Sequence, residues 1–242
     1  MRNLFILLMI VFYINPTSQV SAQSDDDFFM RDDTLTDLEG ITKYDAFCPI
    51  LEGDSVRYCG KNPCTGWIKD YYPGTDKLIH QGGYQYGQVA AAFTNYFFSG
   101  KIERSFVKKA NGEFYTFNVF DSLSNPITQV EYFRKAVIKR KDYYRGGVLE
   151  LDEVFDKKRS FVETQKYYYP NGKLYSELIL VDKKKNIYSY RDFYNTGDLK
   201  SEGQKIRNPQ INDYFFHGKW VFYDEQRKII RQENYIKGVL ID

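Results

Sequence analysis

Seven segments of this chain repeat one template, in which an aromatic residue precedes a polar turn and an aliphatic residue follows it. The aromatic anchors are Tyr72, Phe97, Phe120, Tyr143, Tyr169, Tyr194 and Tyr223. By subtraction of their numbers, successive anchors lie 25, 23, 23, 26, 25 and 29 residues apart. A period in the twenties is typical of arrays in which each unit is one supersecondary element that cannot bury its apolar face alone. The sequence therefore predicts neighbouring units that stack.

The segments between the turns have the alternation of β-strands. In Glu113–Phe120, Phe114, Thr116, Asn118 and Phe120 fall on one face of a strand, and Tyr115, Phe117 and Val119 fall on the other. The chain holds 22 Tyr and 19 Phe, which favour strands, and no window carries a helical apolar stripe. We predict an all-β fold in which tandem antiparallel β-hairpins, about seven units of roughly 25 residues, stack into an elongated twisted sheet.

Each unit contains two kinds of turn. The first follows the anchor and usually supplies Gly, as in Asn171-Gly172 and Ser99-Gly100, because tight hairpin turns need residues that tolerate positive φ. The second is basic and polar, and occurs at Lys108–Gly112, Asp156–Lys158, Asp182–Asn186 and Ile236–Gly238. After the first turn comes an aliphatic residue in every copy: Leu78, Ile102, Ile127, Val148, Leu174, Leu199 and Ile229. Aromatic and aliphatic residues are expected to meet across each hairpin and to form a continuous core.

The N-terminal residues divide into two segments before the repeats. Residues 1–22 are interpreted as a secretory signal peptide, with Arg2, an apolar run over residues 4–13, and small residues before the predicted cleavage site. A retained anchor is the alternative. Residues 23–45 are predicted to be an acidic, flexible leader, and residues 46–242 the repeat domain. Residues 23–60 hold ten acids and three bases, so a net −7 precedes a net +8 over residues 61–242.

Cys48, Cys59 and Cys64 are the only cysteines, and three cysteines allow three single pairings. Cys59 and Cys64 flank a four-residue turn, which favours a disulfide between them in an exported chain. Cys48 is then free or intermolecular. Three Cys with the distant His80 and His217 make a poor set of zinc ligands, so no metal or other cofactor is expected.

Three segments resemble the variant MORN repeats of bacteria: Gly66–Tyr72, Tyr168–Leu174 and Gly218–Tyr223. Those repeats read roughly Gly-x-Trp-x-x-Tyr-Tyr-x-x-Gly-x-Leu, then a strand and a basic-Gly turn, and they occur in proteins labelled YwqK-type antitoxins. The resemblance covers about residues 56–242. It implies stacked antiparallel hairpins and supplies no catalytic residue to carry over. An antitoxin role is at odds with export unless the partner is in the envelope.

Candidates for catalysis are few. A Ser-His-Asp or Cys-His site requires His80 or His217, which are interpreted as structural or surface residues. The acids Glu150, Asp152 and Glu153 are interpreted as solvated strand residues rather than a glycosidase pair. Residues 82–87, a Gly-rich run, predict a hairpin turn rather than a phosphate loop, because no Lys-Ser/Thr and no helix follow. We predict no catalytic residue and a protein that is not an enzyme.

The partner expected from this reading is an unidentified protein, bound by an exported repeat scaffold in the cell envelope or outside the cell. The alternative is a glycan or anionic lipid head group, bound by an aromatic row (Tyr71, Tyr96, Tyr144, Tyr168 and Tyr190) and by lysines of the basic turns (Lys108, Lys109, Lys157, Lys158, Lys183, Lys184 and Lys185). Export argues against nucleic acid. The short apolar strand over residues 238–242 is a predicted sheet edge, and whether the sheet dimerises there is left open.

Overall fold

The regular elements of the chain are nearly all strands. A computed structural model describes residues 42–109, 112–158 and 161–241. It begins with a one-turn helix, α1 (Thr42–Asp45), and a 3-10 turn, Pro49–Leu51. The strands are β1 (Tyr58–Cys59), β2 (Asn62–Pro63), β3 (Gly66–Tyr71), β4 (Leu78–Gln85), β5 (Gln88–Tyr96), β6 (Ile102–Lys108), β7 (Phe114–Phe120), β8 (Pro126–Phe133), β9 (Ala136–Tyr143), β10 (Leu149–Phe155), β11 (Val162–Tyr168), β12 (Leu174–Asp182), β13 (Ile187–Phe193), β14 (Leu199–Asn208), β15 (Asp213–Tyr223), β16 (Ile229–Ile236) and β17 (Val239–Ile241).

One open sheet contains 15 of these strands. Strands β3 to β17 follow one another in sequence order, and each is antiparallel to its neighbours. Strands β1 and β2 form a separate two-stranded ribbon. The predicted all-β array of tandem antiparallel hairpins is therefore confirmed, within a compact unit spanning residues 40–242.

The seven predicted units correspond to seven hairpins, from β3–β4 to β15–β16, and β17 follows as a single extra strand. The first kind of turn is here called the Gly turn, and six of the seven are closed by the same pair of hydrogen bonds. For example, Tyr169 N donates to Lys173 O and Gly172 N donates to Tyr169 O, both at 2.8 Å. In the β3–β4 hairpin the turn is one residue longer, and Tyr72 N donates to Lys77 O. Gly172 has φ +79°, which favours glycine. In all seven hairpins the pairing register shifts next to this turn.

The seven anchors occupy two adjacent positions of the repeat, which corrects their assumed equivalence. Tyr72, Phe97, Tyr169 and Tyr194 begin their Gly turns. Phe120, Tyr143 and Tyr223 instead end the preceding strands, and the turns begin at Asp121, Tyr144 and Asp224. The period alone could not separate the two positions, because most hairpins carry aromatic residues at both. Across each hairpin the strand-ending residue pairs with an aliphatic residue, as in Tyr168↔Leu174, except at Phe120↔Pro126. In the β9–β10 hairpin Leu149, rather than the predicted Val148, takes this place.

The core lies on one face of the sheet, here called the core face and marked by Phe93, Phe106 and Phe117. These three side chains are directly opposite one another on β5, β6 and β7 and are at most 9% exposed. The chain before β1 packs on this face, with buried Cys48 in the same cluster and Phe47, Ile50 and Leu51 against it. The alternation expected for residues 113–120 is thus confirmed, since Phe117 and Val119 are buried on this face.

The continuous apolar core expected from the repeats is wrong. The row that begins with Phe93, Phe106 and Phe117 continues through Val130 to Arg140, Glu153 and Gln165, and only then reaches Leu178 and Tyr190. The polar members bond to each other or to neighbours, as Gln165 Nε2 donates to Glu153 Oε1 at 2.6 Å. This row of the core face is therefore polar at β9–β11, although Leu151 on the same face of β10 is buried.

The predicted flexible leader is incorrect at its last four residues. Thr42–Asp45 form α1, and the buried Tyr44 ring stacks on His80 with centroids 3.9 Å apart. An ion pair joins Asp45 to Arg104 on β6. The predicted signal peptide and residues 23–41 of the leader lie outside the described residues.

Candidate functional site: the aromatic face of the sheet

The face opposite the core carries one aromatic residue from every hairpin. These residues end the strand before each Gly turn, and we call them the aromatic row: Tyr71, Tyr96, Phe120, Tyr143, Tyr168, Phe193 and Tyr223. Consecutive members are two strands apart, which corresponds to roughly 10 Å along the sheet. Tyr71 is 49% exposed and the other six are half-buried. The row presents a periodic line of rings along one margin of the sheet.

Side-chain hydrogen bonds hold several of these rings on the aromatic face. Tyr143 Oη donates to Gln129 Oε1 at 2.7 Å, and Tyr223 Oη donates to Glu202 Oε1 at 2.8 Å. Gln81 Nε2 donates to Tyr96 Oη at 2.6 Å. Burial, and then the charge of Asp152, raises the pKa of Tyr143, so that its hydroxyl remains a donor at neutral pH.

A second row crosses the middle of the same face, and we call it the polar ladder. Its members are direct cross-strand partners from β3 to β16: Lys69, Gln81, Thr94, Ser105, Asn118, Gln129, Lys141, Asp152, Lys166, Glu177, Arg191, Glu202, Val221 and Gln232. The ladder is neutral from β4 to β8. From β9 to β14 it alternates base and acid.

The charged half of the polar ladder is paired across strands. Lys141 Nζ lies 3.7 Å from Asp152 Oδ2, Lys166 Nζ lies 3.8 Å from Glu177 Oε2, and Arg191 also contacts Glu177. A one-residue slip of any strand would move its ladder residue to the core face. The alternating charges therefore specify the register of β9–β14 as well as stabilising it.

A shallow depression lies on this face at β7–β9. Thr116, Asn118, Gln129, Glu131, Lys139 and Lys141 line it together with Val130, and its volume is about 220 Å³. Pockets for small organic ligands usually enclose about 300–1,000 Å³. The depression therefore suits contact with part of a larger surface better than enclosure of a small substrate.

The aromatic row differs from the one expected from the sequence. Tyr71, Tyr96 and Tyr168 belong to it as predicted. Tyr144 instead begins a Gly turn and donates its hydroxyl to Tyr168 O at 2.7 Å, and Tyr190 lies on the core face beside Leu178. Phe120, Tyr143, Phe193 and Tyr223 complete the row. Each of these four residues directly precedes the first residue of a Gly turn, and that position could have identified them from the sequence.

His80 is buried in a polar network on the core face. Tyr84 Oη lies 2.8 Å from His80 Nε2, and Asn95 Oδ1 lies 2.7 Å from His80 Nδ1. Because the amide oxygen of Asn95 can only accept, His80 Nδ1 is the protonated nitrogen, and Nε2 accepts from Tyr84 Oη. Arg57 donates to Tyr84 Oη at 3.4 Å and pairs with Asp70 at 2.7 Å. Burial lowers the pKa of His80 to about 4. His80 is 0% exposed, so it is placed to hold the Tyr44 segment on the sheet.

The other predicted catalytic candidates do not converge. His217 lies on β15, eleven strands from His80 on β4, which separates them by roughly 50 Å. Asp152 belongs to the polar ladder, whereas its neighbour Glu153 points to the core face and accepts from Gln165. Burial raises the pKa of Tyr144, and the charge of Glu150 is the second, smaller cause.

The Gly-rich run at residues 82–87 is only partly a turn. Gly82 and Gly83 lie inside β4, and the tight turn is formed by Tyr86 and Gly87. A Cβ at Gly82 would lie 3.0 Å from Phe93 Cβ and 3.1 Å from His80 Nε2. Gly82 therefore makes room for the core, which explains why glycine occurs within a strand here.

A disulfide joins Cys59 and Cys64, as predicted, across the β1–β2 ribbon. Cys48 is free and fully buried in the core cluster. The disulfide is compatible with an exported protein. Within the described parts of the chain, no three His, Cys, Asp or Glu side chains come together in a group that could hold a metal.

The lysines of the basic turns lie at the end of the sheet opposite the Gly turns. Lys109 pairs with Glu131 at 3.3 Å, and Lys183 pairs with Asp156 at 3.3 Å. Lys185 lies 3.9 Å from Asp182, and Lys157 Nζ lies 5.2 Å from the centre of the Phe133 ring. The positive charge of this margin is therefore partly neutralised by its own acids.

Comparison with family models gave no match, and comparison with curated proteins gave none either. The resemblance to variant MORN repeats stays a prediction. No helix among residues 42–109, 112–158 and 161–241 is long and apolar enough to cross a membrane.

Proposed function

We propose that this protein is an exported, non-enzymatic repeat scaffold that binds another protein through its aromatic face. The observation that carries the proposal is the aromatic row, with one ring from each of seven hairpins beside a ladder of paired charges. Tyr and Arg are enriched at the centres of protein–protein interfaces, where they supply large contact areas at low entropic cost. Resemblance to a repeat family without catalytic residues is in keeping with this role.

The export part of the proposal is supported by the predicted signal peptide and by the Cys59–Cys64 disulfide. Such bonds persist in the periplasm and outside the cell. We therefore expect the partner in the cell envelope or outside the cell.

The test is affinity capture from a detergent-solubilised envelope extract. An affinity tag is inserted in the exposed loop at residues 209–212, so that the two edge strands of the sheet carry no tag. The row variant combines Tyr71→Ala with Tyr168→Ala. The matched control combines Tyr58→Ala with Tyr86→Ala, which are 62% and 76% exposed and lie outside the row.

A partner of the aromatic face is retained by the unmodified protein and by the control, and its recovery falls at least about tenfold with the row variant. Circular dichroism checks that both variants fold. Equal recovery with the row variant, or no protein captured in stoichiometric amount, contradicts the proposal.

Binding of a glycan or anionic lipid head group is a second candidate, and the even spacing of the aromatic row favours the glycan. Rings about 10 Å apart can stack on alternate sugars of a linear polysaccharide. Pull-down with insoluble polysaccharides, compared between the row variant and its control, tests the glycan. For the lipid, binding to vesicles of anionic lipid that persists in high salt would exclude an electrostatic mechanism.

A further inference from the structure

The last strand of the sheet has the features of an unprotected edge. Among the described residues, β17 pairs only with β16. Its side chains Val239, Leu240 and Ile241 are 66%, 54% and 40% exposed, and Ile230 and Ile236 on β16 are 64% and 53% exposed. Unpaired N–H and C=O groups beside exposed aliphatic residues are a template for another strand.

The opposite edge is different. Strand β3 also exposes apolar side chains, since Trp67 and Tyr71 are 65% and 49% exposed. It carries Lys69 between them, however, and Pro73 follows the strand. Lysine and proline are the residues by which natural sheets protect their edges from pairing. The two edges therefore differ in protection, because β17 itself carries neither lysine nor proline.

The number of strands decides how a second copy of the chain must be oriented to continue the sheet in antiparallel fashion. Because 15 strands alternate in direction, β3 and β17 run the same way. A head-to-tail copy that kept its faces aligned would place β17 beside β3 in parallel. A copy related by a two-fold axis normal to the sheet would place β17 beside β17 in antiparallel orientation, like every other pair in this sheet.

We propose that β17 pairs with β17 of a second copy about such an axis and forms a closed dimer. With the axis at Leu240, Leu240 faces its equivalent on the core face, and Val239 faces Ile241 on the aromatic face. No strand residue of β17 is charged, so the pairing brings no like charges together within it. A two-fold interface closes on itself, which limits the assembly to two copies.

The contact is small, because β17 has three residues. A standard stable interface buries about 1,600 Å². We therefore expect a weak dimer with a dissociation constant on the order of micromolar, detectable by its concentration dependence. This inference does not depend on the proposed function.

The first experiment is sedimentation of the full exported chain over a range of concentrations. The unmodified protein is expected to double in mass, and Leu240→Lys is expected to stay monomeric at every concentration. Leu123→Lys is the matched control, since Leu123 is 74% exposed in a Gly turn away from both edges, and it should dimerise normally. Circular dichroism checks the fold of both.

The second experiment distinguishes the geometries by crosslinking. Under oxidation, Leu240→Cys alone should give a covalent dimer. Ile68 lies on the core face of β3, as Leu240 does on β17, and a mixture of Leu240→Cys and Ile68→Cys chains should give no crosslink between the two variants. Crosslinks between positions 240 and 68, with masses beyond a dimer, would mean head-to-tail growth and overturn the proposal. A monomer at all concentrations overturns it as well, and so does a β17 edge occupied by a strand of a different protein.

Discussion

At the scale of single residues, the tyrosine that begins a Gly turn links neighbouring hairpins by a side-chain hydrogen bond. Tyr72, Tyr144, Tyr169 and Tyr194 each donate their hydroxyl to a backbone carbonyl at the end of the next hairpin's first strand, at 2.7–2.9 Å. Phe97 has no hydroxyl. Asp121 and Asp224 instead accept hydrogen bonds within their own turns. The identity of one residue thus decides whether a turn is tied to its neighbour or only to itself.

Removal of one such hydroxyl should weaken the fold by a predictable amount. Tyr169→Phe loses the bond to Phe193 O and should lower the free energy of unfolding by about 1 kcal/mol. Phe97→Tyr places a donor where the next carbonyl is that of Phe120, and should raise it by up to about 1 kcal/mol. Urea denaturation measures both, with the exposed Tyr86→Phe as a control. If Tyr169→Phe matches that control, the bond contributes nothing.

His80 should make stability fall with acidity. Its pKa is about 4 in the folded protein because burial disfavours the charged imidazolium, whereas an unfolded histidine titrates near 6.5. Below about pH 6.5 the unfolded chain takes up the proton first, so the free energy of unfolding should drop by roughly 2 kcal/mol between pH 7 and pH 5. Above that range the His80 imidazole is neutral in both the folded and the unfolded protein, so it causes no further change in the free energy of unfolding.

The groups facing His80 are Tyr44, Arg57, Asp70, Tyr84 and Asn95, so the slope must be isolated by substitution. His80→Gln should flatten the dependence of the free energy of unfolding between pH 7 and pH 5, relative to the unmodified protein. Denaturant titrations at three pH values give the comparison. An unchanged slope in His80→Gln would remove histidine as the cause.

At the scale of elements, each strand is held by what lies across from it rather than by its own sequence. Strand β14 accepts the indole of Trp220 because Gly203 has no side chain there, and Trp220 Nε1 donates to Gln204 O at 2.9 Å. Strands β11, β12 and β13 are joined through Glu177, which is 5% exposed and lies between Lys166 and Arg191. Packing of the Trp220 indole therefore holds β15 against β14, whereas the ion pairs of Glu177 join β11, β12 and β13.

Two glycines within strands should differ in how much stability they lose on substitution by alanine. A Cβ at Gly203 would lie 2.5 Å from the Trp220 ring, so Gly203→Ala should cost about 2–4 kcal/mol through displacement of the indole. At Gly83 the nearest atom to a Cβ is 3.6 Å away, and Gly83→Ala should change stability by less than about 1 kcal/mol. Thermal or urea unfolding measures the difference. Equal costs would mean that Trp220 can move freely.

Charge reversal in the polar ladder should be destabilising and partly reversible. Glu177→Lys places a buried lysine between Lys166 and Arg191 and should cost about 3–5 kcal/mol. Adding Arg191→Glu restores one opposite pair and should recover part of that loss. A double-mutant cycle from urea denaturation gives the coupling. Additive losses would show that the two side chains act independently.

At the scale of the whole molecule, the two ends of the sheet are unequal. The strands β4–β8 share the buried cluster of Phe93, Phe106 and Phe117 beneath the chain that precedes β1. The last hairpin is more open, since Ile229 and Ile230 on β16 are 48% and 64% exposed. In an array stabilised mainly by nearest neighbours, the less buried end opens at lower free energy.

Hydrogen exchange should resolve this inequality. Amides of β16 and β17 are expected to exchange at least about tenfold faster than those of β5 and β6, because opening the last hairpin exposes little apolar area. Mass spectrometry of peptic fragments at low protein concentration, where the proposed dimer dissociates, measures it. Equal exchange rates along all fifteen strands would instead indicate one cooperative unit.

The sequence by itself determined the hairpins, their turns and the disulfide, because these depend on residues close together in the chain. Alternation set the strands, Gly172 and its counterparts set the turns, and Cys59 and Cys64 are only five positions apart in the chain. Only the tertiary structure decided that Tyr143 and not Tyr144 joins the aromatic row, and that Glu153 lies on the core face. It alone placed Tyr44 on His80. Those outcomes depend on cross-strand register and on contacts between distant segments. A periodic pattern fixes the register only to within one residue, and a shift of one residue moves a side chain to the opposite face of the sheet.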